Sequence, residues 1–140
     1  METYNIYKHK KNDLLGSFYD HRGSINDIFY QSNIEHVTLI SSEKNSIRGN
    51  HYHKKTTQHI LVISGSLEYW YKKINDDEAP KVFYAKTGDV VTSKPLEIHA
   101  MRTTEEACLF MVFTEGLRGG NDYENDTFRV ESIIGQLPHP

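Results

Sequence analysis

Two histidines one residue apart, His51 and His53, are the residues whose type and spacing most directly imply chemistry. Side chains at i and i+2 of a strand leave the same face, so their imidazoles stand side by side with backbones about 7 Å apart. Histidine exchanges a proton near neutral pH, and its neutral ring ligates transition metals. Gln58 follows five residues after His53, and His99 lies in the later β-rich segment EIHAMRT. The lysine-threonine connection is expected to turn the chain so that a neighbouring strand carries Gln58 to the same face. Pro95 should open the strand that holds His99 or sit on a sheet edge. Three strands would then supply three imidazoles and one amide. A single strand histidine is more often a hydrogen-bonded structural residue, the reading given to His36 and to His59, which should point away from Gln58. Two imidazoles on one strand differ, because burying both idly is costly.

The elements that must position these residues read as strands. Apolar or β-rich runs recur at 34–40, 59–64, 67–73, 81–85, 89–93, 97–103 and 107–114. Turn chemistry such as SEKNS, Gly65-Ser66, NDDEAP and TGD separates them, the spacing of an antiparallel sandwich or barrel. Gly65-Ser66 reads as a tight hairpin and NDDEAP as a wetter one. In LEYWYKK, Leu67, Tyr69 and Tyr71 form an aromatic-aliphatic face opposite Glu68, Trp70 and Lys72. No apolar pattern of helical period spans three turns, so the expected class is all-β.

Composition bounds the rest. The 140 residues fit one domain over 1–140, with a core at about 34–114 and a peripheral tail over 116–140. A formal net charge of −3, from 16 basic and 19 acidic residues, offers no footprint for nucleic acid. The single cysteine, Cys108, sits in an apolar run and reads as a buried small hydrophobe in a reducing compartment. No apolar run approaches the roughly 18 residues of a membrane span, and the first residues lack a leader's apolar core. A cytoplasmic protein without membrane contact is expected.

The stretch RGNHYHKKTTQHILVISG resembles the first motif of the cupin superfamily, G(x)5HxH(x)3-4E(x)6G, at His51, His53, Gln58 and Gly65, with Gln58 where glutamate is usual. The second motif, G(x)5PxG(x)2H, is matched loosely at Gly88, Pro95 and His99, with Glu97 in the glycine's place and Thr103 in that of the closing asparagine. This resemblance implies a jelly-roll β-barrel. DHRGSINDIF and SIRGNHYH resemble the D-x-R-G and R-G-x-H segments of the dTDP-4-dehydrorhamnose 3,5-epimerases and dTDP-sugar 3,4-ketoisomerases, and GLRGGNDYENDTFRV is similar to tails of small polysaccharide-biosynthesis cupins. The resemblance implies that Arg22 and Arg48 hold phosphates and that His51 is the base. Bidentate guanidinium suits phosphate. Gln58 replaces the lysine of the 3,5-epimerases, and HxH with Gln is closer to the 3,4-ketoisomerases, in which two histidines shuttle protons. Those enzymes also place a tyrosine on the preceding strand, which HVTLI lacks.

The residues themselves admit a matching mechanism. A 4-keto sugar has acidic C–H bonds at carbons 3 and 5, and positioned proton transfer is typically worth about 10²- to 10⁴-fold. His51 and His53 would pass the proton, with Gln58, Tyr69 or Tyr71 orienting the enolate, and like charge keeping at least one ring neutral. His51, His53, Gln58 and His99 would equally suit zinc, nickel, iron or copper, although an amide binds a cation less strongly than a carboxylate. Arg22 and Arg48 are either phosphate ligands or partners of Asp20 or Asp27. Gly23 and Gly49 are expected at positive φ. The acidic cluster Asp122, Glu124 and Asp126 and the KHKK run near the start read as solvated faces.

The expected function is isomerisation or epimerisation of a nucleoside-diphosphate 4-keto-6-deoxy sugar in a homodimeric barrel, with no cofactor required. The alternatives are a metal-dependent cupin, a dioxygenase included, and a non-catalytic sugar-binding cupin.

Overall fold

The computed structural model describes residues 1–8, 15–116, 119–122 and 124–135. Most of the KHKK run lies outside them. The strands are β1 (Glu2–Asn5), β2 (Ser17–Asp20), β3 (Gly23–Asn26), β4 (His36–Ser42), β5 (Ile47–Tyr52), β6 (Thr57–Ser64), β7 (Ser66–Lys73), β8 (Lys81–Lys86), β9 (Asp89–Ser93), β10 (Glu97–Arg102), β11 (Cys108–Glu115) and β12 (Phe128–Arg129). Two five-stranded antiparallel sheets, ordered β1-β9-β6-β11-β4 and β12-β5-β10-β7-β8, face each other as a jelly-roll barrel. The all-β class is as expected. The short β2-β3 ribbon pairs with neither sheet. Strands β1 and β12 lie outside 34–114, yet each adds an edge to a five-stranded sheet. No helix among the described residues is long and apolar enough to cross a membrane.

Alternation divides the strands between three apolar clusters. Ile60, Val62, Leu67, Tyr69, Val91, Met101, Phe110 and Val112 fill the space between the sheets. Leu61, Val90 and Phe113 turn the other way and pack beneath Ile6, Ile28, Phe29 and Ile34 of the leading segment. Trp70, Ile98 and Ala100 point out of the opposite sheet and are covered by Val130, Ile133 and Ile134. The run HILVIS is continuous because β6 is buried on both faces for much of its length. Each fully buried Ile or Phe contributes about 1.5–3 kcal/mol. Burial pushes the Cys108 thiol up to about 11, in keeping with a packed, neutral side chain.

The NDDEAP segment does join a hairpin, β7-β8. Gly65-Ser66 does not, since β6 and β7 belong to different sheets. At Gly65, with φ +80°, the chain crosses between sheets so close to its neighbour that a Cβ would lie 2.1 Å from the Ala107 carbonyl oxygen. A two-residue turn signal cannot distinguish a hairpin from such a corner, because both need a left-handed residue.

Candidate active site

The site begins with an irregularity in β5. The pairing of β10 with β5 runs His99 to His51 and then Ala100 to Gly49, so Asn50 is an extra residue, a β-bulge. Gly49 (φ +92°) and Asn50 (φ +56°) both adopt the left-handed conformation that the bulge needs. The expectation of positive φ at Gly49 therefore holds, but within a strand rather than a turn. The bulge swings the Asn50 backbone outward, where its carbonyl and Oδ1 accept the Val130 and Ile133 amides. A Cβ on Gly49 would sit 2.8 Å from the His99 carbonyl oxygen and 3.0 Å from the Ala100 Cα. Gly49→Ala is expected to cost about 1–3 kcal/mol, read as a lowered urea midpoint at unchanged m-value. An unchanged midpoint would mean that the strand shifts freely there.

Downstream of the bulge His51 and His53 both point inward, as their spacing implies. Their ring centroids are 5.0 Å apart, and His99 completes a triangle at 4.7 Å from His51 and 5.2 Å from His53. Ring nitrogens of all three lie within 4.8 Å of one another. Gln58 joins them from across the barrel rather than from the neighbouring strand, because β6 lies in the other sheet. Its Nε2 is 3.5 Å from His99 Nε2.

Backbone carbonyls fix two of the rings. A carbonyl only accepts, so the proton on His53 Nδ1 is donated to the Asp126 carbonyl at 2.7 Å, and that on His99 Nδ1 to the Glu97 carbonyl at 3.2 Å. In the neutral rings the lone pair then resides on Nε2. Tyr69 stacks at 6.0 Å on His99 and bonds Ser93 through its hydroxyl. Burial, with the Glu97 charge, drives the Tyr69 phenol well above its ordinary value and leaves it a protonated donor.

The three histidines differ in access. An open cavity of about 340 Å³ is lined by His51 and Gln58, with Ile40, Ile47, Gly49, Met101 and Val112 as apolar wall. His53 and His99 are buried behind His51, at 2% and 0% exposure. Arg48, His36, Thr38, Thr114 and Arg129 supply the remaining polar lining. Arg48 is not paired with Asp20 or Asp27; its Nε donates to Ser42 Oγ and Nη2 to the Ser41 carbonyl.

Several expectations are corrected by this geometry. Arg22 does not line the histidine cavity: it lies on the β2-β3 ribbon, 77% exposed, ion-paired to Asp20 at 2.6 Å. Tyr71 is also elsewhere, lining a separate opening with Met1, Lys72 and Glu97. Tyr69 is sealed at 0% exposure, so it touches His99 rather than a ligand. His59 does point away from Gln58, onto Phe29 and Thr92. His36, read as structural, lines the cavity with its neighbour in alternation, Thr38. Asp126 is no solvated acid, because its carboxylate accepts the Lys54, Lys55 and Thr56 amides. Arg129 escaped notice, and Asp126 was read as solvated, because two-residue β12 and its approach carry no alternating signal. For His36 the signal existed: in HVTLI, Val37 and Leu39 are 50% and 62% exposed while His36 and Thr38 face in, so β4 turns its polar face inward.

The barrel is similar to solved structures of three kinds. The capsular polysaccharide assembling protein CapF from Staphylococcus aureus shares 21% identity at TM-score 0.64, covering 84% of this chain and 34% of its own, so the chain spans about a third of that protein. A mutant of the 3,4-ketoisomerase QdtA from Thermoanaerobacterium thermosaccharolyticum, in complex with TDP-4-keto-6-deoxyglucose, shares 22% at TM-score 0.67 over 83% of either chain. The dTDP-4-dehydrorhamnose 3,5-epimerase from Elizabethkingia anophelis shares 10% at TM-score 0.71, covering 88% of this chain and 75% of its own. At these identities the likeness shows the fold. No curated protein sequence matches the chain. Residues 18–128, which run from the β2-β3 ribbon through every cavity-lining strand to Phe128, match the polysaccharide biosynthesis C-terminal domain, and the chain belongs to that family.

Proposed function

We propose that this protein isomerises or epimerises a nucleoside-diphosphate 4-keto-6-deoxy sugar by histidine proton transfer. The observation that carries the reading is the cavity itself: the His51 imidazole lines it beside the Gln58 amide, backed by the buried imidazoles of His53 and His99, with Arg48 and Arg129 in the wall. His51 takes the proton from the carbon next to the ketone, and Gln58 or the hydroxyl of Thr38 donates to the enolate oxygen. His53, within ring contact of His51, relays the proton. Return to the same carbon from the opposite face epimerises; return to the neighbouring carbon, with the enediol collapsing the other way, moves the ketone. Uncharged Gln58 favours the second outcome. Arg48 and Arg129 are suited to a diphosphate. The family and the fold likeness to a 3,4-ketoisomerase and a 3,5-epimerase support this reading over a dioxygenase or a ligand sensor.

The test is incubation with TDP-4-keto-6-deoxyglucose in deuterated water. Deuterium is expected by NMR at carbon 3 or 5 if the enzyme epimerises and at carbon 4 of the 3-keto product if it moves the ketone; binding without exchange at any of these carbons would overturn the catalytic reading.

The imidazoles also fit a divalent cation. Nδ1 of His53 and His99 is held by backbone carbonyls, the outer-shell arrangement that places the lone pair of a neutral ring on Nε2. Bound there, a metal would polarise a carbonyl as a Lewis acid. Proton transfer by His51 needs none, so exchange is expected to survive chelator treatment.

A homodimer in a reducing, cytoplasmic compartment completes the proposal. Phe18, Tyr19 and Ile25 on the unpaired ribbon and Val37 and Leu39 on edge strand β4 expose apolar surface that a second copy would cover. The single buried thiol suits reducing conditions.

A further inference from the structure

We propose that Asp126 is a positioning residue for His53, locking the imidazole in the tautomer and orientation that the proton relay uses. The inference rests on the proposed histidine chemistry, but its geometry stands independently. Asp126 holds the end of β5 twice. Its backbone carbonyl accepts from His53 Nδ1 at 2.7 Å. Its carboxylate gathers the next three amides of the chain, Lys54 at 2.9 Å on Oδ1, Lys55 at 2.9 Å and Thr56 at 2.8 Å on Oδ2. One residue therefore fixes both the ring and the turn that follows it, and the turn leads directly into β6 and Gln58.

The carboxylate is what places the carbonyl. Three amides in a row form a concave anion-binding turn, and an ionised carboxylate filling it makes charge-assisted bonds stronger than neutral ones. Burial pushes the Asp126 carboxyl upward, but the Lys54, Lys55 and Thr56 amides outweigh it and hold the group below the usual carboxylate range. Anchored in this way, the backbone at 126 presents its carbonyl to the ring. A neutral imidazole left to itself populates both tautomers; a fixed acceptor at Nδ1 selects one. With the proton there, the lone pair of His53 lies on Nε2, in a ring whose centroid is 5.0 Å from that of His51.

The experiment uses the full chain with ¹⁵N-labelled histidine. Two-bond ¹H–¹⁵N spectra at pH 8 should show His53 protonated at Nδ1 in the wild type and mixed between nitrogens in Asp126→Ala. In turnover of TDP-4-keto-6-deoxyglucose the same variant should lose about 10- to 100-fold in kcat with KM changed less than about threefold. Asp126→Asn keeps one acceptor oxygen and should be intermediate in both readouts. It also serves if the alanine variant fails to fold. A folded Asp126→Ala protein whose His53 keeps the Nδ1 proton overturns the proposal, as does loss of activity through KM alone. Were the wild type inactive on this sugar, the function would fail while the tautomer spectra still decided the role of Asp126.

Discussion

Replacing His51 by glutamine is expected to lower kcat on TDP-4-keto-6-deoxyglucose by about 10²- to 10⁴-fold, the usual worth of one positioned proton-transfer group, with KM little changed. Glutamine approximates the length and polarity of the imidazole but cannot take up a proton. His51 is the member of the triangle that lines the open cavity; His53 and His99 sit behind it. The loss should therefore appear in deuterium exchange at the sugar carbon as well as in product formation. His53→Gln acts one step further from the substrate, so in the double variant the two losses should be far from additive, as for residues acting as a unit. Steady-state kinetics with exchange measured by NMR decide the matter. Activity within about tenfold of wild type in His51→Gln would remove this residue from the chemistry.

The second large effect concerns binding. Arg48→Ala and Arg129→Ala are each expected to weaken TDP binding by about 10- to 100-fold, since a hydrogen bond to a charged group is worth about 1.5–3 kcal/mol. Both side chains line the cavity, yet both have partners: Arg48 bonds Ser42 Oγ and the Ser41 carbonyl, and Arg129 forms a two-bond fork with Glu124 at 2.8 Å. A guanidinium carries five donors, of which Arg48 uses two on Ser41 and Ser42. The Ser41 and Ser42 contacts aim Arg48 rather than consume it. Titration calorimetry with TDP measures the loss, and wild-type affinity should fall as salt is raised, by screening. An affinity for TDP unaltered in the double variant would place the anion site elsewhere.

How much of this was legible in the sequence follows from the physics of each signal. Period-two alternation with aromatic and β-branched residues revealed β4 and β6 to β11 to within a few residues. It was silent on β1, β2, β3 and β12, which are short and owe their state to pairing. The i, i+2 rule placed His51 and His53 together because it is local. His99 and Gln58 were read onto the same face from turn signals and strand alternation, and the motif resemblance named the same residues; that β6 approaches from the other sheet was not legible, since nothing local brings it toward β5. The resemblance also suggested Arg22 as a phosphate ligand; the structure shows the other reading given to it, an ion pair with Asp20. Tyr69 and Tyr71 share a face as expected, but barrel curvature seals one and directs the other to a different opening. Asp126 was unreadable: its role lies as much in a backbone carbonyl as in its side chain, and backbone groups leave no trace in residue type.

The contact between His53 and Asp126 joins positions 73 apart in the chain. Closing so long a loop is entropically unfavourable, and the penalty grows with the logarithm of its length, so such contacts form late. On the ribosome, at about 5–20 residues per second, His51 and His53 emerge seconds before the residue whose carbonyl His53 bonds. During that interval the growing barrel has its imidazoles without this contact, and the geometry that the proposed proton relay needs is among the last features the nascent polypeptide acquires.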